Sequence, residues 1–291
     1  MATRIFSWTV FPITITLAVG GTILCLRSGW EPAVSIGPSI LAAYVLIALL
    51  ERIFPYQESW LHAKNDVGTD MAWFVTNSAM NRLVEPLLLG AGVALGVWLS
   101  GVIGLGLWPA EQPLLLQLAL ALVVAEFFEY WFHRAMHETK WLWRFHATHH
   151  SAPRLYWMNA VRFHPVDYTL VGPCKLLPLA LLGAPAMIFA LVNVFAAVHG
   201  AFQHSNLQLR LGPLNWVFSM AELHRWHHSR EIEEANHNYG GNLILWDIVF
   251  GTRWLPADRE PPADIGLSYP SRFPTTFWSQ LASPVRWAEV E

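Results

Sequence analysis

The sequence predicts an all-α protein, a polytopic membrane helical bundle of about four spans plus a helical hairpin, capped by a cytoplasmic histidine-rich helical domain. Its 291 residues are 54% hydrophobic and only 13% charged, a composition outside the range of soluble domains. Several uncharged runs approach the ~20 residues that a helix needs to cross a bilayer. Histidines clustered at helical spacing follow these runs.

The first two apolar runs cover residues 11–26 and 36–50. The first resembles a signal peptide in length, but Arg4 is the one charge before it and no small-residue cleavage pattern follows. We therefore interpret it as a retained span. Residues 55–82 are mixed and aromatic, so we expect them to lie at the membrane interface without crossing it. His62, in that segment, is expected to be a lone surface histidine.

The third and fourth runs cover residues 84–105 and 114–132, and the fourth leads directly into His133. This fourth run contains Glu126 and Glu129, which are costly to place in lipid. Helical spacing puts both carboxylates on one stripe with His133 and His137. Two interpretations stay open: the carboxylates hydrogen-bond metal-binding imidazoles, or they extend towards the membrane edge.

A positive excess after the fourth run indicates the cytoplasmic side of the membrane. It consists of Lys140, Arg144, Arg154, Arg162 and Lys175. Two further apolar stretches, 166–182 and 185–198, are separated by a Gly-Ala-Pro break that is typical of a turn. As a hairpin they return the chain to the same side, whereas one continuous span would put the histidine clusters on opposite sides.

Three regions are predicted along the chain. Residues 1–110 form a transmembrane and interfacial region, residues 111–255 a catalytic domain, and residues 256–291 a proline-rich tail. The net charge of −3 offers no basic field for nucleic acid, so we exclude that class of partner. Cys25 and Cys174 provide neither a disulfide framework nor a thiolate metal site.

The histidine clusters predict metal binding. HRAMH begins at His133, HATHH at His146 and HRWHH at His224, and each set lies on one face of a helix. Neutral imidazole suits iron, zinc and copper. Ten ligands exceed what one ion can hold, so we expect two metal ions a few ångströms apart. The candidate ligands are His133, His137, His146, His149, His150, His199, His204, His224, His227 and His228.

The remaining histidines near these clusters are weaker candidates. His199 lies five residues before His204, which is a poorer helical alignment. His164 and His237 have no companion at ligand spacing, and we expect either of them to contact a ligand rather than the metal.

Together these motifs resemble the fatty acid hydroxylase and sterol desaturase superfamily of integral-membrane non-haem di-iron oxygenases. The similarity rests on HRAMH, HATHH, the HSN after Gln203, HRWHH and the segment NYGGNLILWDIVFGT, and it runs from about Glu126 to Thr252. The resemblance implies that the ten histidines bind two iron ions, with O2 as co-substrate. It also implies that Asn238 or His237 reaches the site through water.

We therefore expect an O2-dependent enzyme that hydroxylates or desaturates an unactivated C–H bond of a lipid, such as a fatty acyl chain or a sterol. No HPGG haem motif occurs in the sequence, so electrons are expected from a separate protein of the cytochrome b5, ferredoxin or reductase type. The compact chain favours a bacterial inner membrane, with the metal site facing the cytoplasm.

Two other functions remain alternatives. A membrane zinc hydrolase would need a carboxylate base within the histidine motif, as in HExxH. Glu138 follows His137, but the residues after it do not complete that pattern. A non-enzymatic metal transporter would place its ligands near mid-membrane between broken helices, and a haem protein would use fewer histidines.

Overall fold

The computed structural model describes residues 2–104 and 106–291, so Leu105, at the end of the predicted third span, lies outside the described residues. The amino-terminal part is helical, in five segments. These are α1 (Ala2–Arg27), α2 (Pro32–Ser35), α3 (Gly37–Ile53), α4 (Val67–Leu83) and α5 (Glu85–Ile103).

The remainder is also helical, and the described residues pair as β-structure only at isolated bridges. The long helices are α6 (Leu114–Glu138), α7 (Lys140–His150), α8 (Pro165–Leu181) and α9 (Ala186–His204). Shorter helices follow: α10 (Ala221–His227), α11 (Ile232–Ala235), α12 (Leu245–Val249), α13 (Phe277–Ala282) and α14 (Trp287–Val290). The prediction of an all-α protein is confirmed.

Within the described residues, five helical segments are long and apolar enough to cross a membrane. They are Ile5–Arg27, Pro32–Ile53, Val67–Ile103, Leu114–Glu138 and Ala186–His204. The third includes α4, which the sequence places at the interface, and continues through α5. These segments indicate an integral membrane protein. At 17 residues, α8 is shorter than these spans.

The ends of several helices meet on one side of the bundle. Near the start of α1, the carbonyl of Ser7 accepts a hydrogen bond from Arg210 N at 3.2 Å. Just after α3, the carbonyl of Phe54 accepts one from Gln208 N, also at 3.2 Å. Because Arg210 and Gln208 follow the end of α9, the ends of α1, α3 and α9 share that side.

The start of α8 and the end of α9 lie on the same side, because Asp167 contacts His146 and His204 contacts His149 of α7. The predicted return of the chain is confirmed, and the two helices share α6 but otherwise pack on different partners. α8 lies against α5 and α6, whereas α9 lies against α1 and α3. Phe11, Ile47 and Leu191, from α1, α3 and α9, are fully buried in the shared apolar core. This core fixes the direction in which α9 delivers its last residue, His204.

The contact between α5 and α8 depends on small residues. A Cβ atom at Gly96 would lie 2.4 Å from the carbonyl oxygen of Ala180, and one at Gly92 would lie 2.6 Å from a methyl group of Leu177. The two glycines are spaced as in the GxxxG motif of packed membrane helices. The absence of side chains here lets α8 approach α5 closely.

The segment after α3 is anchored by buried polar contacts. Asp70, in α4, is 1% exposed and accepts hydrogen bonds from Arg162 and from the hydroxyl of Tyr156. Trp73 donates from Nε1 to Gln280 Oε1 at 2.9 Å, which brings α13 of the tail against α4. The division into regions 1–110, 111–255 and 256–291 stays a prediction, because these contacts join all three.

Candidate metal centre

The ends of four helices bring nine histidines together in two groups. Within each group, one ring nitrogen from every member lies within 4.8 Å of those of the others. Group one is His133, His137, His146, His150 and His227, and group two is His149, His204, His224 and His228.

In group one the Nε2 atoms converge. His133 Nε2 lies 3.1 Å from His146 Nε2 and 3.1 Å from His227 Nε2. His150 Nε2 lies 3.2 Å from His146 Nε2, and His137 Nε2 is buried without a hydrogen-bond partner among the described residues. α6, α7 and α10 thus point their imidazoles at one small volume.

Group two has the same arrangement and lies beside group one. His204 Nε2 is 3.2 Å from His149 Nε2 and 2.9 Å from His224 Nε2, and His228 Nε2 is 3.0 Å from His224 Nε2. The rings of His150 and His228, one from each group, are stacked with centroids 4.4 Å apart. The two groups are therefore neighbouring parts of one centre.

The HATHH and HRWHH motifs each divide their histidines between the two groups. In α7, His146 and His150 join group one while His149 joins group two. In the HRWHH set that begins in α10, His227 joins group one while His224 and His228 join group two. Each motif therefore contributes to both groups and ties them together.

The opposite ring nitrogen, Nδ1, faces an oxygen atom in six of the nine histidines. The partners are Tyr239 O for His133 (2.6 Å), Asn236 Oδ1 for His137 (3.2 Å), Asp167 Oδ2 for His146 (2.8 Å), Arg162 O for His149 (3.3 Å), Gly200 O for His204 (2.9 Å) and His237 O for His227 (2.8 Å). A carbonyl or carboxylate oxygen can only accept, so Nδ1 carries the proton and donates. The Nε2 lone pair is then free to bind a metal.

The centre is kept neutral by burial. Burial first, and then repulsion from neighbouring imidazoles, holds the pKa values of His149, His150, His224 and His228 well below the usual value for histidine. Burial likewise lowers the pKa of His227 to about 3. Neutral imidazole is the form that ligates metals.

A buried carboxylate shapes the loop that supports group one. Asp247 accepts hydrogen bonds from Tyr239 N and Gly240 N, both at 2.8 Å, and from the Thr252 hydroxyl at 2.7 Å. Burial raises the pKa of Asp247 to about 6, although these three donors oppose the shift. The loop thereby holds the Tyr239 carbonyl against His133.

Several predicted site residues lie apart from both groups. His199 is fully buried among the rings of Phe11, Phe195 and Phe218. His164 caps the start of α8, accepting from Val166 N, and its Nε2 faces the carbonyl of Leu281 at 3.2 Å. Neither histidine joins the set of converging ring nitrogens.

The two carboxylates of α6 have other partners than the imidazoles. Glu126 accepts a hydrogen bond from the side-chain amide of Asn242, and Glu129 forms an ion pair with Lys175 at 2.8 Å. Of the two interpretations left open, hydrogen bonds to the metal-binding imidazoles are not found for these carboxylates among the described residues, because α8 and the 240–242 loop pack against this face of α6.

His237 and Asn238 support the centre through direct contacts, and the contact through water stays a prediction. The carbonyl of His237, not its ring, faces His227. The amide of Asn238 donates to the carbonyls of Leu223 and Trp254 and accepts from Trp254 N at 2.8 Å. Asn238 therefore fixes the fold of its loop.

The sequence reasoning missed Asp167 and Asn236, whose side chains face His146 and His137. A signal for Asp167 was available. It lies in the first turn of α8, beside the polar end of an apolar helix, where an acidic residue is stabilised by the helix dipole. Asn236 directly follows the short helix α11, and no sequence pattern around it indicates a contact with a histidine.

The geometry fits metal ions. Crowded Nε2 atoms that all carry lone pairs repel one another unless a cation lies among them. Buried polar atoms without partners are rare in folded proteins, and His137 Nε2 is such an atom. Five and four imidazoles in adjacent groups match two ions better than one.

The similarity to known proteins agrees with this centre. The family model described as fatty acid hydroxylase matches residues 118–252, which contain both groups. The chain is 36% identical over 246 residues to the ornithine lipid hydroxylase of Rhizobium tropici, covering 84% of this chain and 73% of that protein.

More distant relatives share a shorter region. Human alkylglycerol monooxygenase is 33% identical over 150 residues, which are 52% of this chain and 33% of that enzyme. A very-long-chain aldehyde decarbonylase of Oryza sativa is 27% identical over 139 residues, 47% of this chain and 52% of that protein. No solved structure matches the chain. The histidine motifs lie together in the structure, and most of the chain aligns with one relative. The chain therefore belongs to the fatty acid hydroxylase family.

Proposed function

We propose that this protein is a membrane oxygenase that hydroxylates a C–H bond of a lipid at a centre of two iron ions, with desaturation as the related outcome. The observation that carries the proposal is the convergence of nine Nε2 atoms into two adjacent groups at the ends of apolar helices. Group one would hold one ion and group two the other.

Iron chemistry is favoured over zinc hydrolysis by the composition of the groups. Among the described residues both groups consist of histidine alone, so no carboxylate stands ready as the base of a hydrolase. The relatives named above are hydroxylases and monooxygenases as well as a decarbonylase. The resemblance of the histidine motifs to di-iron oxygenases supports the same choice of metal.

The overall reaction inserts one oxygen atom of O2 into a C–H bond and reduces the other to water. It consumes two electrons, from a reduced donor protein, and two protons. When bound, the iron ions supply the redox chemistry that attacks an unactivated C–H bond. The protein must bind the ions, orient the lipid and keep bulk water away.

Residues of this chain perform those tasks. His146, His149 and His228 are at most 3% exposed, so the walls of the centre exclude bulk water. Asp167 and the Tyr239 carbonyl fix the ring orientation of His146 and His133. Since the ligands lie where apolar helices end, a lipid can reach them with its chain still in the bilayer.

We propose a membrane lipid as the substrate and an ornithine lipid as the first one to test. The support is the similarity to an ornithine lipid hydroxylase, whose alignment covers 84% of this chain. We also propose a bacterial inner membrane, with the centre facing the cytoplasm. Lys140 and Arg144, on α7 beside the centre, support that side.

The test is turnover by the purified protein in lipid nanodiscs that contain ornithine lipid, with a chemical or protein electron donor. We expect two iron ions per chain and, under 18O2, a lipid product that carries one labelled oxygen atom. Bound zinc with a product formed in the absence of O2 would instead support the hydrolase, and an unchanged lipid with iron bound would overturn the choice of substrate.

A further inference from the structure

Below the metal centre, inside the membrane-embedded part, lies a second cluster of ionisable side chains. Glu126 and Glu129 of α6, Lys175 of α8 and His199 of α9 belong to it, and we call it the lower cluster. Glu129 is one helical turn before His133, and Glu126 is seven residues before it, about 10 Å along the helix axis.

The Glu129–Lys175 pair is electrically neutral. Lys175 Nζ lies 2.8 Å from one carboxylate oxygen of Glu129 and 3.1 Å from the other. The 240–242 loop closes over the pair, because a Cβ atom at Gly241 would lie 2.7 Å from Glu129 Oε1. The one ammonium group of the lower cluster is therefore already matched by a carboxylate.

Glu126 has no cation of its own. It is fully buried, and one of its oxygen atoms accepts from the neutral amide of Asn242. Its other oxygen, Oε2, is buried without a hydrogen-bond partner among the described residues. An ionised carboxylate in this position would be an unpaired charge in a medium of low polarity, beside the negative Glu129.

His199 completes the lower cluster from the opposite helix. Both of its ring nitrogens are buried without a hydrogen bond in the part of the chain that the structure describes. The electrostatic neighbours of its ring include Lys175 and the backbone of Gly241. A second positive charge beside the Lys175 ammonium is unfavourable, so His199 adds no charge to the cluster.

We propose that the lower cluster is a proton-holding site, in which the Glu126 carboxyl carries a proton at neutral pH and supplies it to the reaction at the metal centre. The titratable groups beside Glu126 are Glu129 and Lys175, whereas His199 lies beside Lys175 and the Cys174 thiol beside Glu129. The proton makes Glu126 Oε2 a hydrogen-bond donor. It also brings the net charge of the four side chains in the lower cluster to zero.

The role of Glu126 in turnover rests on the proposed function, whereas the protonation of Glu126 does not. Hydroxylation consumes two protons when one oxygen atom of O2 leaves as water. The Glu126 carboxyl would release one proton, become a carboxylate, and regain a proton from water before the next turnover. Electrons come from the reduced donor protein.

The first experiment needs no catalysis. Infrared difference spectra at pH 7 compare the wild-type protein with Glu126→Gln and with Glu129→Gln. We expect Glu126→Gln to remove the carbonyl stretch of a protonated carboxyl group, and Glu129→Gln to remove the bands of an ionised carboxylate. Loss of carboxylate bands in Glu126→Gln would overturn the proposal.

Glutamine at position 126 keeps the shape of the side chain and an oxygen acceptor for Asn242. Should this variant fail to accumulate, Glu126→Asp retains the acid and shifts the protonated band instead of removing it. Absence of any such shift would count equally against a protonated Glu126.

The second experiment separates a proton-supplying role from a structural one. Glu126→Gln should bind as much iron as the wild type and keep its KM, while its kcat falls by about 100-fold, within the range for general acid catalysis. Glu260→Gln, at an exposed surface ion pair with Arg210, is the matched control and should change none of these values. Loss of iron in Glu126→Gln, or an unchanged kcat, would overturn the role in turnover.

Discussion

Asp167 Oδ2 accepts a hydrogen bond from His146 Nδ1 at 2.8 Å, and both side chains are almost completely buried. This contact joins the first turn of α8 to the middle of group one. It fixes the His146 tautomer, so that Nε2 presents its lone pair to the other four histidines. Asp167 is thus a positioning residue for a predicted ligand.

Replacement of Asp167 is expected to weaken metal binding. Asp167→Ala leaves His146 free to rotate and removes a negative charge, so iron affinity and turnover should fall about 10- to 100-fold. Asp167→Asn keeps an acceptor but loses the charge and should show a smaller loss. Metal analysis after dialysis against a chelator measures the effect.

Asp258→Asn, at an exposed position, is the control for Asp167 and should behave as the wild type. Equal iron affinity in Asp167→Ala and the wild type would show that His146 is held by its neighbours alone.

Loss of one ligand from either group should lower the metal content of that group. His227→Ala removes a ligand from group one and His149→Ala removes one from group two. We expect each variant to lose turnover completely and to bind about one iron ion less per chain, because the unaltered group keeps its imidazoles. Elemental analysis of the purified variants checks this.

Two histidines serve as comparisons. His62→Ala, at an exposed site, should change neither metal content nor turnover. His199→Gln should retain its full metal content, because the structure sets His199 apart from both groups. A similar loss of metal in all four variants would indicate misfolding instead of lost ligation.

Acid should destabilise the metal-free protein. The pKa of His227 falls to about 3 on folding, from an ordinary value of ~6.5 in the unfolded chain. Between those values the unfolded chain binds a proton that the folded protein does not. The free energy of unfolding therefore decreases as the pH is lowered, by up to about 1.4 kcal/mol per pH unit for each such histidine.

Asp247 opposes this trend, because its pKa is raised to about 6 and the folded protein binds the extra proton between that value and ~3.9. Asp247 and the Glu126 carboxyl proposed to be protonated are two groups against five, namely His227 and the four other histidines whose pKa values are lowered. Thermal unfolding of chelator-treated protein from pH 7 to pH 4 should thus show a falling midpoint. A midpoint that rises on acidification would contradict the neutral histidine centre.

The α5–α8 contact predicts that alanine substitutions at two glycines of α5 have very different effects on thermal stability. Gly96→Ala would place a methyl group 2.4 Å from the Ala180 carbonyl oxygen, and the helices would have to separate at a cost of about 1–3 kcal/mol. At Gly101 nothing lies within 4 Å, so Gly101→Ala should be neutral or slightly stabilising. Thermal unfolding in detergent compares the two, and equal midpoints would contradict close packing at Gly96.

The sequence by itself determined the all-helical membrane architecture and the histidines of the candidate metal centre. A bilayer requires long apolar helices, so runs such as 11–26 and 114–132 identify spans without any tertiary information. The spacing of HRAMH, HATHH and HRWHH likewise follows from the helical period. Nine of the ten candidate ligands are the nine histidines that converge in the structure.

Only the tertiary structure decided which side chains meet. The helical period fixes the direction of a side chain relative to its own axis, but its partner depends on the helix packed opposite. For that reason His149 joins group two while His146 joins group one, Glu129 meets Lys175 instead of an imidazole, and His199 lies among phenylalanines. Asp167 meets His146 because the first turn of α8 packs against α7, a contact that helical spacing within either helix does not reveal.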